Sequence, residues 1–232
     1  MKRIDFLMCF SVLGLLTLSG CGSSNQPPAG KNLRAYYPEF HVGDRWRWRV
    51  KRPGEAERTE IQTVAATEIW DGFTSYRIER APDGGRRTEA DVLGLTTGRL
   101  LQFGFDTYDA TGGLLDSVRY PAPWGISIDL EPGETSTQTF QLVDDINGTP
   151  VVSTFQIEVY YAGAEIVSVP AGTFPAARMN VTTTVTVRVG EEAQPPEVSH
   201  YTEWRAEGVG AVKSHDEDGT TEELAEAQVG GA

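Results

Sequence analysis

The chain has 232 residues, with 33 acidic against 20 basic side chains and only two cysteines, Cys9 and Cys21. A net charge of −13 repels nucleic acid and anionic lipid faces, so electrostatic binding to either is disfavoured. Two cysteines make neither a disulfide framework nor a four-cysteine zinc site, so stability has to come from packing.

Lys2 and Arg3 begin the chain, and residues 6–18, FLMCFSVLGLLTL, carry no charge. That run suits the apolar core of a secretory signal, about 7–15 residues, and is too short to span a bilayer, which takes roughly 20. It ends at Leu18-Ser19-Gly20-Cys21, which closely resembles the lipobox of bacterial lipoproteins: Leu, a small residue, Gly or Ala, then Cys. The resemblance implies cleavage before Cys21, diacylation of its thiol and acylation of the new amino terminus. Asp5 departs from the usual pattern. Gly22 stands where an Asp would retain an enteric lipoprotein at the inner membrane, so the resemblance implies an outer-membrane protein facing the periplasm. Several acyl chains, at about 0.8 kcal/mol per buried methylene, anchor a protein without spanning the bilayer. Without residues 1–20 the chain keeps 18 basic and 32 acidic side chains, a net charge of −14, and Cys21 as its sole cysteine.

Residues 22–32, GSSNQPPAGKN, read as a flexible tether, and the expected division is signal 1–20, lipidated Cys21 and tether 21–34, domain 35–215, and acidic disordered tail 216–232. The clearest strand alternates Trp46, Trp48 and Val50 with Arg45, Arg47, Arg49 and Lys51, an indole face inward and a guanidinium row outward. Further strands are expected at 58–69, 73–80, 86–93, 98–107, 114–120, 135–144, 150–161, 164–169, 175–189, 197–206 and 209–215. Gly, Asp, Asn and Pro separate them, in WDG, PDGG, DATGG, INGT and VPAGTF. Residues 220–228, TTEELAEAQ, have the composition of a brief capped helix or a frayed end. The fold class predicted is all-β: an antiparallel curved sheet, or a partly open barrel or sandwich.

Two stretches echo one another. Tyr37-Pro38 leads to Gly43-Asp44, and Tyr120-Pro121 leads to Gly133-Glu134, each Gly-acid pair opening a strand. Chance reuse of turn chemistry and two similar halves sharing one core are both open readings.

Three pieces together, YYPEFHVGDRWRWRV, VSVPAGTFPAARMNV and HYTEWRAEGVGAVKS, resemble segments of a group of uncharacterised β-rich bacterial envelope lipoproteins. Phe40 replaces the Leu of that pattern, and Trp48 replaces the Tyr after Trp46. The group has no activity to transfer; in overall shape its members resemble curved antiparallel sheets that shelter lipids. On physical grounds VPAGTF is a tight turn, because Pro170 pre-sets its φ and Gly172 permits a positive one, with Phe174 covering one end of the core. Gly208 and Gly210 flank Val209, which suits a bulge or a close backbone approach.

Catalytic signatures are absent from the sequence. His41, His200 and His215 form no HExxH or HxH pair, and GISID at 125–129 lacks the final Gly of a nucleophile elbow. Asp216, Asp218 and Gly219 make only a fragment of a calcium loop. Arg45, Arg47, Arg49, Lys51, Arg52 and Arg58 are expected to pair across strands with Glu55, Glu57, Glu60 and Glu79 rather than grip a polyanion. The aromatic set is core or, if the sheet curves without closing, the wall of an apolar pocket. The expected site residues are therefore Cys21 for lipidation and Trp46, Trp48, Phe103, Phe105 and Trp204 for a hydrophobic ligand. No catalytic residue, metal or cofactor is expected. The expected partners are a membrane, through the lipid anchor, and a hydrophobic ligand or an envelope protein. A structural or protein-interaction module is the alternative reading, and a carboxylate-based hydrolase the third.

Overall fold

The computed structural model describes residues 30–70, 72–146 and 148–230. Cys21 and the expected signal and tether up to residue 29 lie outside them. The strands are β1 (Arg45–Lys51), β2 (Arg58–Trp70), β3 (Phe73–Pro82), β4 (Glu89–Leu95), β5 (Arg99–Tyr108), β6 (Leu114–Ser127) and β7 (Thr135–Ile146). They continue as β8 (Thr149–Val169), β9 (Gly172–Val189), β10 (Glu192–Ala193), β11 (Glu197–Ala206), β12 (Gly210–Asp216) and β13 (Thr221–Gln228). All pair antiparallel in one sheet, in the order β6-β5-β4-β3-β2-β1-β13-β12-β11-β9-β8-β7, with β10 beside β9. The sheet is an all-β barrel closed all round except at one unsealed seam, between β6 and β7.

The seam has a chemical cause. Residues 120–123, Tyr-Pro-Ala-Pro, stand in β6 opposite the single residue Phe103 of β5, so the strand bulges there. Pro121 and Pro123 bring no N–H to a ladder, which confines them to an edge strand. Side chains bridge the gap instead: the Trp124 and Phe140 rings stack at 4.6 Å across it, and Arg99 Nη2 donates to Gln138 Oε1 at 3.1 Å.

The other end of the barrel from its hairpin mouth is plugged by a short 3₁₀ helix, Leu33–Tyr36. Asn32 Oδ1 accepts from the Arg34 N–H at 3.0 Å, and the Leu33 N–H donates to Leu130 O at 2.8 Å. Leu33, Tyr36 and Tyr37 are buried with Ile128, Leu130, Tyr161 and Met179. A tether reaching residue 34 is thus corrected: the chain is already fixed at Lys31, whose carbonyl accepts from Tyr161 OH at 2.9 Å.

The acidic tail is the larger correction. Residues 221–228 form β13, zipped between β1 and β12. The outward guanidinium row of β1 supplies the reason, since Arg47 faces Glu226 and Arg49 faces and pairs with Glu223. The expected cross-strand pairing with Glu55, Glu57, Glu60 and Glu79 is met differently: Arg58 pairs with Glu60 of its own strand at 2.7 Å, and Arg49 also reaches Glu57, just before β2, at 3.7 Å. Asp218 caps the β12–β13 turn by accepting from the Thr220 N–H at 2.6 Å. Candidate strands 150–161 and 164–169 are one strand, β8, with a bulge after Tyr161. VPAGTF turns at Pro170-Ala171, Gly172 has φ +142°, and Phe174 packs on the core.

The sequence echo corresponds to one device built twice. Gly43 and Gly133 both have positive φ, +98° and +91°. Their N–H groups donate to Val64 O at 2.9 Å and Tyr161 O at 2.7 Å, tying the entry of β1 to β2 and of β7 to β8. Asp44 accepts from the His41 N–H and Glu134 from the Glu131 N–H, both at 2.8 Å. Two meanders, β1–β6 and β7–β13, therefore start alike and meet along β1 and β13.

A small third cluster holds Val92, Leu101 and Phe103 with Trp70 against them. Phe103 lies over Gly94, where an added Cβ would sit 2.7 Å from its Cε2. Gly94→Ala is expected to lower stability by about 1–3 kcal/mol through overpacking, read as a lower urea midpoint with an unchanged slope.

Candidate functional site

The lumen of the barrel encloses a cavity of about 630 Å³. Strand register lays out one wall in rows across β4, β5 and β6. At the mouth stand Glu89, Thr107 and Asp116; next come Asp91, Phe105 and Val118; then Leu93, Gln102 and Trp124; and deepest Leu95, Leu100 and Ile126. Polarity thus falls with depth. The facing wall comes from β7, β8, β9 and β11 and includes Phe140, Leu142, Phe155, Ile157, Val181 and Tyr201.

Aromatic rings organise the seam side. Phe140 lies between Trp124, at 4.6 Å, and Phe155, at 4.7 Å, both nearly parallel to it. Tyr120 meets Trp124 and Phe140 edge-on at 6.2 and 6.0 Å. Such pairs contribute about 0.5–1.5 kcal/mol beyond area burial, so the stack holds together two strands that share no ladder. A second groove of about 350 Å³ runs along the seam and shares Tyr120, Trp124 and Phe140 with the lumen.

The five expected ligand-binding aromatics are not gathered at one place. Phe105 lines the large cavity. Trp46 and Trp48 line an adjoining space of about 140 Å³ and are almost wholly buried, their indole N–H groups donating to Val209 O at 2.8 Å and Gln62 Oε1 at 3.0 Å. Phe103 is corrected to the opposite face from Phe105: it is the bulged residue of β5, unpaired with both β4 and β6, and one extra residue reverses the alternation. Trp204 is also corrected. Tyr201 faces the lumen, residues an odd number apart on a regular strand face opposite ways, and Trp204 Nε1 donates to Glu165 Oε1 at 2.5 Å. Tyr120, Phe140 and Asp91 are not among the site residues expected from the sequence. Alternation in TSTQTFQLV does place Phe140 and Leu142 on one face, which is the signal that marks β7 as a wall.

Asp91 is the innermost carboxylate on the wall. Gln102 Nε2 donates to its Oδ1 at 3.0 Å. Burial, then the charge of Glu89, push its pKa up to about 6 against the opposing pull of Arg80 and Gln102. The folded protein therefore holds this proton more tightly than the unfolded chain. The group favours folding at low pH, and that contribution is lost as pH rises from the ordinary value of 3.8 through about 6. Asp91→Asn is expected to stabilise the protein on the order of 1–3 kcal/mol at neutral pH. Calorimetric melting should show the gain at pH 7.5 and none at pH 3.5.

Arg80 is the guanidinium whose charge acts on Asp91, and carboxylates surround it. Its Nη1 and Nη2 donate to both oxygens of Glu222, at 2.9 and 2.8 Å, and Glu60 and Glu89 stand at 3.4 and 3.5 Å. Among the residues lining the lumen, the charged ones are Glu89, Asp91 and Asp116.

No family model matches this chain, and no curated protein does. Among solved structures it is similar to a candidate lipoprotein of Parabacteroides distasonis, with 12% identity and a TM-score of 0.48. It is also similar to a candidate exported protein with a YmcC-like fold from Bacteroides fragilis, with 11% identity and a TM-score of 0.43. Each comparison covers 83% of this chain and 98% of the other. Neither description names a ligand or an activity.

Proposed function

We propose that this protein is a lipid-anchored module of the bacterial cell envelope, not an enzyme, that shelters an apolar ligand in its barrel lumen. The observation that carries the reading is the cavity of about 630 Å³ walled by Phe105, Trp124, Phe140 and Phe155, within the range of roughly 300–1,000 Å³ of small-molecule sites. The lipobox at Leu18–Cys21 supports the anchor. Gly30 packs beside Pro132 at the plugged end, so the described chain begins at that end of the barrel.

Displacement of an environment-sensitive naphthylamine dye by dodecanol tests the lumen. Ile157→Trp, which adds an indole to the wall, is expected to weaken dye binding by about tenfold or more while the melting transition stays cooperative. A wild-type protein that neither binds the dye nor releases it to dodecanol overturns the reading. Cys21→Ser tests the anchor separately: the variant should leave the membrane pellet, and its retention there as a processed form would contradict lipidation.

A second reading is favoured by the seam edges. Leu115 and Val143 are 67% and 71% exposed and flank the mouth end of the seam with Leu114 and Ile146, as a protein-docking edge would. In that case Leu115→Lys with Val143→Lys removes partner capture and leaves dye binding intact.

A further inference from the structure

The large cavity is apolar in its walls and acidic in its charge. Its lining holds Glu89, Asp91 and Asp116 and no Lys, Arg or His among the described residues, while in the adjoining small space, which Asp91 also borders, Arg205 is paired with Glu203 at 2.6 Å. Arg80, the guanidinium that acts on Asp91, is taken up by Glu222, Glu60 and Glu89. A ligand entering from the mouth passes the acidic pair Glu89 and Asp116 and then meets Asp91 beside Phe105, one row above Trp124. A carboxylate or phosphate head would leave water to sit next to these like charges, whereas an ammonium head gains both their Coulomb attraction and the faces of the rings. The described residues contain no grouping of acids close enough to hold a metal ion, so the charge is matched by a diffuse organic cation better than by a small divalent one.

We infer that the ligand of this lumen is a cationic amphiphile, an alkyl or aryl chain bearing an ammonium head, with the chain against Trp124, Phe140 and Phe155 and the head at Asp91. This rests on the lumen being a ligand site, as proposed above, and deepens that reading by naming the sign of the head group. Anionic lipids and free fatty acids are the classes it excludes.

Titration calorimetry at pH 7.5, below micelle-forming concentrations, compares dodecylammonium, dodecanol and dodecanoate on the purified protein. Dodecylammonium is expected to bind at least about tenfold more tightly than dodecanoate, with dodecanol between them. Asp91→Asn should bring that ratio to within about threefold while dodecanol affinity is unchanged. Asp144→Asn makes the same charge change at an exposed position of β7 and should leave the ratio as in wild type. Dodecanoate binding as tightly as the amine, or a ratio that Asp91→Asn does not move, overturns the inference. If dodecanol itself does not bind, the lumen reading falls; if dodecanol binds and the head-group preference is absent, only the present inference does.

Discussion

Ending the chain after Gly219 is expected to abolish cooperative folding. The deletion removes β13, which carries the ladders to both β1 and β12 and joins the two meanders on the side away from the seam. A barrel already open between β6 and β7 would then have two unpaired gaps, and no strand ladder would join the two meanders. The lost groups are well used: Leu224 is fully buried, Glu222 holds Arg80 at 2.8 Å, Glu223 pairs with Arg49 and Lys213, and the Gly230 N–H donates to the buried Asp44 at 2.9 Å. Loss of the sigmoidal urea transition and dye binding typical of exposed apolar surface are the expected readouts. Leu224→Ala supplies a graded version, costing about 2–5 kcal/mol for a buried large-to-small change. A truncated chain that unfolds at the wild-type midpoint would show that β13 is dispensable.

Asp106→Ala is expected to destabilise the folded protein by about 2–4 kcal/mol, a large share of a total that is typically about 5–15 kcal/mol. Asp106 is almost wholly buried and accepts from Arg77 Nη1, from Arg119 Nη1 at 2.7 Å and from Ser117 Oγ at 2.8 Å. Removing it leaves Arg119 with only backbone carbonyls and the Trp70 ring, while Arg77 keeps Glu68 at 2.9 Å. Both guanidinium groups retain some access to water, so the cost falls below the upper end for a sealed pair. Burial by itself would raise the Asp106 pKa, but the hydrogen bonds from Arg119, Arg77 and Ser117 outweigh it and hold the carboxyl well below its usual range. Its contribution is therefore present above the ordinary carboxylate pKa and lost as pH falls through the lowered one. Urea midpoints of wild type and variant should differ most at neutral pH and converge in strong acid. Asp91 behaves with the opposite sign, so the two variants together separate a stabilising buried carboxylate from a destabilising one.

Much of this architecture is local and was legible. Alternation in RWRWRV gave β1 with its buried indoles and exposed guanidinium row, and Gly- or Pro-bearing turns placed most hairpins. Alternation also grouped Phe103 with Phe105, and there it misled. Whether a residue is bulged depends on the partner strand, and Phe103 is extruded because four residues of β6 stand against it alone. The acidic tail reads as disordered by composition, since its carboxylates find no partner nearby in sequence. The arginines that order it lie about 175 residues earlier, in β1.

The amino-acid sequence by itself determined the antiparallel β class, the strand faces where pairing is regular, and the resemblance of Leu18–Cys21 to a lipobox. Only the tertiary structure decided where the barrel stays unsealed, which aromatic rings face the lumen, and that the charged lining of the large cavity is acidic. The physical reason is range: side-chain alternation and turn geometry act over a few neighbouring residues. Seam, bulge and lumen charge are set by pairings between strands distant in the chain.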